Sequence, residues 1–199
     1  MSEQQIADRA LLELGKRLIA EDYRFVTPTP LTHERIYTRA AGSLAKDLRD
    51  VFGWSLPFDH TLFPREELAT LEQAGIVERH GSLWRSTVRW SSLDGLLFAH
   101  SAYPTTQTDS VFFGPDSYRF AQLIDAHLQQ HFEPLRRVLD IGCGAGVGAL
   151  IVARTPAPQP GRASASTSAQ QTPHRQIGVG APASAPVDRA TRPYRLRPL

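Results

Sequence analysis

The sequence predicts an α/β chain with a mainly helical first part, a strand–loop–helix unit and a polar tail. Three observations carry that expectation. Ile6, Ala10, Leu14 and Leu18 recur at steps of four, the spacing of one helical face. Val138-Leu139-Asp140-Ile141 reads as a buried strand and runs through alternating glycines into a second apolar run. From Thr155 onward apolar periodicity ceases. The expected division is residues 1–105, 106–154 and 155–199.

Taking the elements in order, the Ile6–Leu18 stripe makes the first helix. Thr32 is placed to cap a second, in which Ile36, Ala40, Leu44, Leu48 and Val51 repeat the pattern. Pro64 suits the first position of a third helix, and Gly75 suits its left-handed end. Ile76–Arg79, a turn at His80-Gly81-Ser82, and Leu83–Trp90 then read as a hairpin. Alternation puts Trp84, Ser86, Val88 and Trp90 on one face of the last strand and Arg85 and Arg89 on the other. Gly114-Pro115-Asp116 opens another helix, along which Phe120, Ile124, Leu128 and Phe132 line one side until Pro134.

Composition limits the classes available. With 199 residues, 41% hydrophobic and 21% charged, the chain suits a soluble globular protein. Its most apolar stretches, Leu96–Ala99 and Ala149–Ala153, fall far short of the roughly 20 residues that span a bilayer, so no membrane partner is expected. Glu3, Asp8, Glu13, Glu21 and Asp22 interrupt the N-terminal region, which speaks against a signal peptide and for a cytoplasmic protein. Cys143 is the only cysteine, which excludes an intrachain disulfide. Lys16 and Lys46 are the only lysines beside 20 arginines, a bias of GC-rich coding sequence. The net charge of +2 hides an asymmetry: residues 155–199 carry +5, leaving −3 for residues 1–154.

The glycine run carries the chemistry. In Asp140-Ile141-Gly142-Cys143-Gly144-Ala145-Gly146, side chains are withdrawn where a bound molecule must approach the backbone. The helix that follows offers free N–H groups and a partial positive charge to a carboxylate or phosphate. Gly144-x-Gly146-x-x-Ala149 also fits the looser dinucleotide pattern. Asp140 argues against that ligand, because a carboxylate sits awkwardly beside a pyrophosphate yet suits an ammonium group. Cys143 needs no role beyond a small side chain in the turn. His127 and His131 lie one helical turn apart, but the neighbouring sequence supplies no cysteine to complete a metal site, and none is expected.

Arg136–Arg154 resembles the first motif of class I S-adenosylmethionine-dependent methyltransferases, acid-x-Gly-x-Gly-x-Gly between strand and helix. The runs Phe98–Thr105 and Val111–Phe120 are similar to the segment before that motif in the small-domain branch, which methylates release-factor glutamine or guanine of ribosomal RNA. The resemblance spans roughly residues 90–154. It implies a Rossmann-like methyltransferase domain behind an N-terminal accessory domain, with S-adenosyl-L-methionine as cofactor and a protein or RNA as substrate. Asp140 would orient the cofactor's amino group, Gly142, Cys143, Gly144 and Gly146 would form its loop, and Phe113 would lie near it. The third helix and hairpin resemble half of a winged-helix unit. The alternative reading is therefore a nucleic-acid-binding module using Arg85, Arg89 and the arginine-rich tail.

The family pattern stops after Arg154. Neither Asp nor Glu occurs between Asp140 and Asp188, where a second strand should end in an acid that holds the ribose. The substrate-clamping Asn-Pro-Pro-Tyr or Asp-Pro-Pro-Tyr motif is missing. Residues 155–199 hold eight prolines and one aromatic, Tyr194, a composition that GC-rich DNA gives when read out of frame. A frameshift after Arg154 is the expectation, with a genuine disordered tail as the competing account. The catalytic half is thus expected to be lacking, no catalytic residue is assigned, and the chain is expected to be inactive.

Overall fold

The computed structural model describes residues 2–130, 135 and 137–154. The expectations for residues 155–199, His131, Phe132 and Pro134 lie outside the described residues. Helix α1, Glu3–Ala20, begins in a reciprocal cap: Ser2 Oγ accepts from the Gln5 N–H and Gln5 Oε1 from the Ser2 N–H. Ala10, Leu14 and Leu18 are buried along it, as their spacing predicts.

The long second helix is two short ones. Helix α2, Pro30–Arg39, is capped by Thr29 instead of Thr32, with Pro30 at its first position. The chain then leaves the helix through Gly42 at φ 81 and restarts as α3, Leu48–Phe52, capped by Asp47. A side-chain cap and a left-handed glycine outweigh the apolar spacing, so Leu44 stays exposed while Leu48 and Val51 reach the core.

Helix α4, Arg65–Gln73, follows Pro64, which precedes the helix as its cap residue. Gly75 ends it at φ 68, with Gly75 N–H donating to the Glu72 carbonyl and Ile76 N–H to that of Leu71, both at 2.9 Å. Strands β1, Val77–His80, and β2, Leu83–Ser86, form the expected antiparallel hairpin. Phe58 bridges its edge through two 2.9 Å bonds with Trp84. The run to Trp90 is not one strand, because Thr87 interrupts it by bonding to the Gly75 and Ile76 carbonyls. Strand β3, Val88–Leu93, turns at Asp94-Gly95, φ 49 and 78, into β4, Leu96–Ser101.

Two apolar clusters occupy opposite faces of this second hairpin. Val88, Trp90, Leu97 and Ala99 belong to the larger, with α1, α3 and α4. Leu93, Leu96 and Phe98 belong to the smaller, with Phe113, Ala121 of helix α5 (Pro115–Gln130), and Val147 and Ile151 of helix α6 (Val147–Arg154). Residue 105 therefore does not mark a gap in the packing. On α5 the inward face carries Tyr118, Ala121, Ile124 and Leu128, while Phe120, expected inside, is exposed.

The architecture is mixed α/β with two two-stranded antiparallel sheets. No parallel sheet is present among the described residues. Val138–Ile141, expected as a buried strand, belongs to no ladder, and Leu139 and Ile141 are 82% and 87% exposed. A strand buried on both faces needs neighbours on both edges and covering helices, which the described residues do not supply.

Candidate functional site

The glycine loop is built by three residues in the left-handed region: Gly142, Gly144 and Gly146 at φ 72, 51 and 77. A side chain at any of them would strain the backbone. Gly146 N–H donates to the Cys143 carbonyl at 2.7 Å, closing the turn, and Leu150 N–H donates to Gly146 at 3.0 Å, starting α6. Cys143 is exposed at the turn. A Cβ on Gly144 would stand 3.9 Å from the Phe112 carbonyl, so the loop runs beside that backbone.

Asp140 folds back over the helix it precedes. Its Oδ2 accepts from the Ala149 N–H at 3.1 Å, at the third position of α6, where negative charge is favoured by the helix dipole. Gly148, which sequence reasoning missed, makes this possible: a Cβ there would lie 2.9 Å from Asp140 Oδ2 and 3.1 Å from the Phe120 ring. A signal existed, because Gly148 continues the alternation of Gly142, Gly144 and Gly146 into a helix, where glycine costs ~1 kcal/mol against alanine. Cysteine aside, the loop offers backbone N–H groups and one carboxylate, a donor set for a zwitterion such as an amino acid.

Phe113, expected near the cofactor, is buried: its ring is 1% exposed and lies between Phe98, His100 and Tyr118. Phe112 is the exposed aromatic beside the loop. The far end of α6 is held by Arg154, which donates to the Asp94 carbonyl at 2.6 Å and Oδ2 at 3.1 Å and lies 3.6 Å from Asp125.

Both arginines assigned to a nucleic-acid face bond to groups of the fold, and Arg89 is buried. Arg89 is 5% exposed and donates to the Gly53 carbonyl and to His33 Nδ1, each at 3.0 Å. Burial lowers its pKa to about 10. Because Nδ1 accepts, His33 carries its proton on Nε2 and donates to the Trp54 carbonyl at 3.1 Å. Arg85 is half-buried and bonds the Tyr103 carbonyl. Alternation placed Arg89 outside because the interruption at Thr87 is invisible to a period-two reading.

A second buried polar chain crosses β3 and β4. Ser91 Oγ lies 2.8 Å from His100 Nε2 and bonds Thr27 Oγ1, and Tyr118 Oη accepts from the Thr27 N–H at 3.0 Å. Desolvation and the Arg89 charge push the pKa of His33 down to about 4 and that of His100 to about 3, so both are neutral inside the fold. Thr27, His33, Ser91 and His100 are buried, and with half-buried Tyr118 they cross-brace the core.

His131, one helical turn from His127 in the sequence, lies outside the described residues. Among the described residues, no group of three His, Cys, Asp or Glu is placed to hold a metal. No described helix is long and apolar enough to cross a membrane. Hollows of about 440 and 600 Å³ flank α4, one against α1 and one against the first hairpin, and neither includes a residue of the glycine loop.

No protein-family model matches the chain, and no curated protein matches it.

Proposed function

We propose that the chain carries the cofactor-recognition loop of an S-adenosylmethionine-dependent methyltransferase of the small-domain type, without the residues that complete transfer. The observation that supports this most is the Asp140–Gly146 turn. Three left-handed glycines lead straight into α6, whose third N–H is taken by the acid. The Val147 and Gly148 N–H groups suit the cofactor's carboxylate, and Asp140 Oδ1, which makes no hydrogen bond among the described residues, suits its ammonium group. When bound, S-adenosylmethionine supplies an electrophilic methyl group on sulfonium. The parent reaction is N-methylation of a protein glutamine or an RNA base. The helix α4, the hairpin and the Phe58 bridge follow the element order of a winged-helix unit, which would serve as the accessory domain. With Arg89 buried and Arg85 bonded to the Tyr103 carbonyl, the arrangement favours methyl transfer over nucleic-acid binding as the parent role.

Between Asp140 and Asp188 the sequence holds no acid for the ribose, and it contains no Asn-Pro-Pro-Tyr or Asp-Pro-Pro-Tyr clamp for a target nitrogen. Cofactor affinity is therefore expected to be weak or absent. Calorimetric titration of S-adenosylmethionine into the full chain tests this. Weak heats that vanish in Asp140→Ala and Gly144→Val support the reading. Tighter binding of NAD than of S-adenosylmethionine would overturn it. Labelled cofactor incubated with release factors or ribosomal RNA should transfer no methyl group, and robust transfer would refute the assigned inactivity.

A further inference from the structure

The hollow of about 600 Å³ between α4 and the first hairpin has the size of a small-molecule site. Phe63, Leu68 and Trp84, all buried, supply apolar walls. Arg65, the first residue of α4, and Arg79 of β1 stand at it as exposed cations. Antiparallel register sets Arg79 opposite Trp84, and the guanidinium lies over the indole ring, 4.1 Å from its centroid. Stacking of this kind holds an arginine in place yet leaves its N–H fork open to a carboxylate or phosphate. Among the described residues, neither Arg65 nor Arg79 pairs with a carboxylate. Of the described lining residues Glu72 is the only acid, so two arginines against one carboxylate leave a charge of +1.

A third donor at this hollow lacks an acceptor. Trp84 is 3% exposed, and its indole Nε1 makes no hydrogen bond among the described residues. Leaving such a donor unpaired is costly, and an acceptor entering the hollow removes that cost. Trp90 Nε1 is unpaired as well, but Trp90 lines neither of the hollows beside α4. We infer that the hollow between α4 and the first hairpin binds a small organic oxyanion, a carboxylic acid or phosphate monoester on an apolar body. Arg79 and Arg65 supply the charged donors, Trp84 Nε1 supplies the neutral one, and Phe63 and Leu68 take the body. The Arg79 guanidinium has only the indole ring as its partner, so it can shift to admit an acceptor to the indole nitrogen. The glycine loop contributes no residue to this hollow, and the inference stands apart from the cofactor reading.

The indole N–H resonances of the three tryptophans, followed by nuclear magnetic resonance in the isotope-labelled full chain, test the inference. Trp84→Phe removes one of them and so identifies it. Phenyl phosphate and phenylacetate should move the Trp84 resonance and leave those of Trp54 and Trp90 in place. Tighter binding of the first assigns a phosphate monoester, and tighter binding of the second a carboxylic acid. Arg65→Gln and Arg79→Gln, both at exposed positions, should each weaken binding about tenfold, the effect of losing one charge-assisted hydrogen bond. No movement of the Trp84 resonance up to about 10 mM, where a ligand of millimolar Kd is largely bound, would overturn the inference. So would an equal response to phenol, which lacks the charge, or binding that both arginine substitutions leave unchanged.

Discussion

Arg89 spends its guanidinium on a carbonyl and a histidine instead of on a carboxylate or solvent. The His33–Arg89 pair joins α2 to β3, and His100 with Ser91 joins the two strands of the second hairpin. The folded pKa values of His33 and His100, about 4 and about 3, lie below an unfolded value near 6.5. Acidification therefore protonates the unfolded chain first. The stability that neutral histidine contributes is complete above about pH 6.5 and is lost as the pH falls toward the folded values. Each residue should contribute a slope approaching ~1.4 kcal/mol per pH unit between about pH 6 and 5, above the range where carboxylates titrate. Urea midpoints measured at intervals over that range should fall, and His100→Gln should flatten the fall by nearly half. An unchanged slope in that variant would show that His100 is not neutral in the fold. Arg89→Ala strands His33 Nδ1 and the Gly53 carbonyl in the core and should cost about 3 kcal/mol, read by chemical denaturation.

Short elements prevail over long ones in this fold because local caps outweigh apolar spacing. Asp47, Gly42 and Thr87 each stop or restart the chain where periodicity alone would continue it. The same logic organises α6, whose start depends on Asp140 reaching over Gly148. Gly148→Ala would raise intrinsic helix propensity by ~1 kcal/mol, yet its Cβ would meet the carboxylate at 2.9 Å. The substitution should therefore fail to stabilise α6. Asp140→Ala, which removes the cap without adding bulk, should cost about 1 kcal/mol. Amide exchange in Val147–Arg154 distinguishes the two effects. Slower exchange in Gly148→Ala than in the native chain would mean that the Asp140 cap contributes nothing.

Across the molecule, the β3–β4 hairpin is the shared wall of both clusters. Phe98 is covered by Phe113, and the Thr27 N–H is satisfied by Tyr118 Oη, so residues beyond 105 complete the part before it. The packing predicts a thermal cost for ending the chain at Thr105. Exposing Phe98 and Leu93 loses ~1.5–3 kcal/mol each, which for about 100 residues lowers the midpoint by on the order of 10 °C or more. Thermal melts of chains ending at Thr105 and at Arg154 compare the two directly. Equal midpoints would mean that the smaller cluster adds no stability to the larger.

The sequence determined by itself the features that act within a few residues. The first helix, the Gly75 stop, the hairpin turn at Gly81 and the glycine loop leading into a helix each depend on a local side-chain pattern or a left-handed glycine. The Asp94-Gly95 turn was equally legible, since Asp-Gly between apolar runs is a hairpin signal, although the reading ended that strand at Trp90. Tertiary structure alone decided that Arg89 is inside, that Phe120 is outside and Phe113 sealed, and that Val138–Ile141 stands uncovered. Burial is a property of what packs on a residue from distant parts of the chain. An apolar run at strand spacing becomes a core strand only when neighbours arrive to pair its edges and cover its faces.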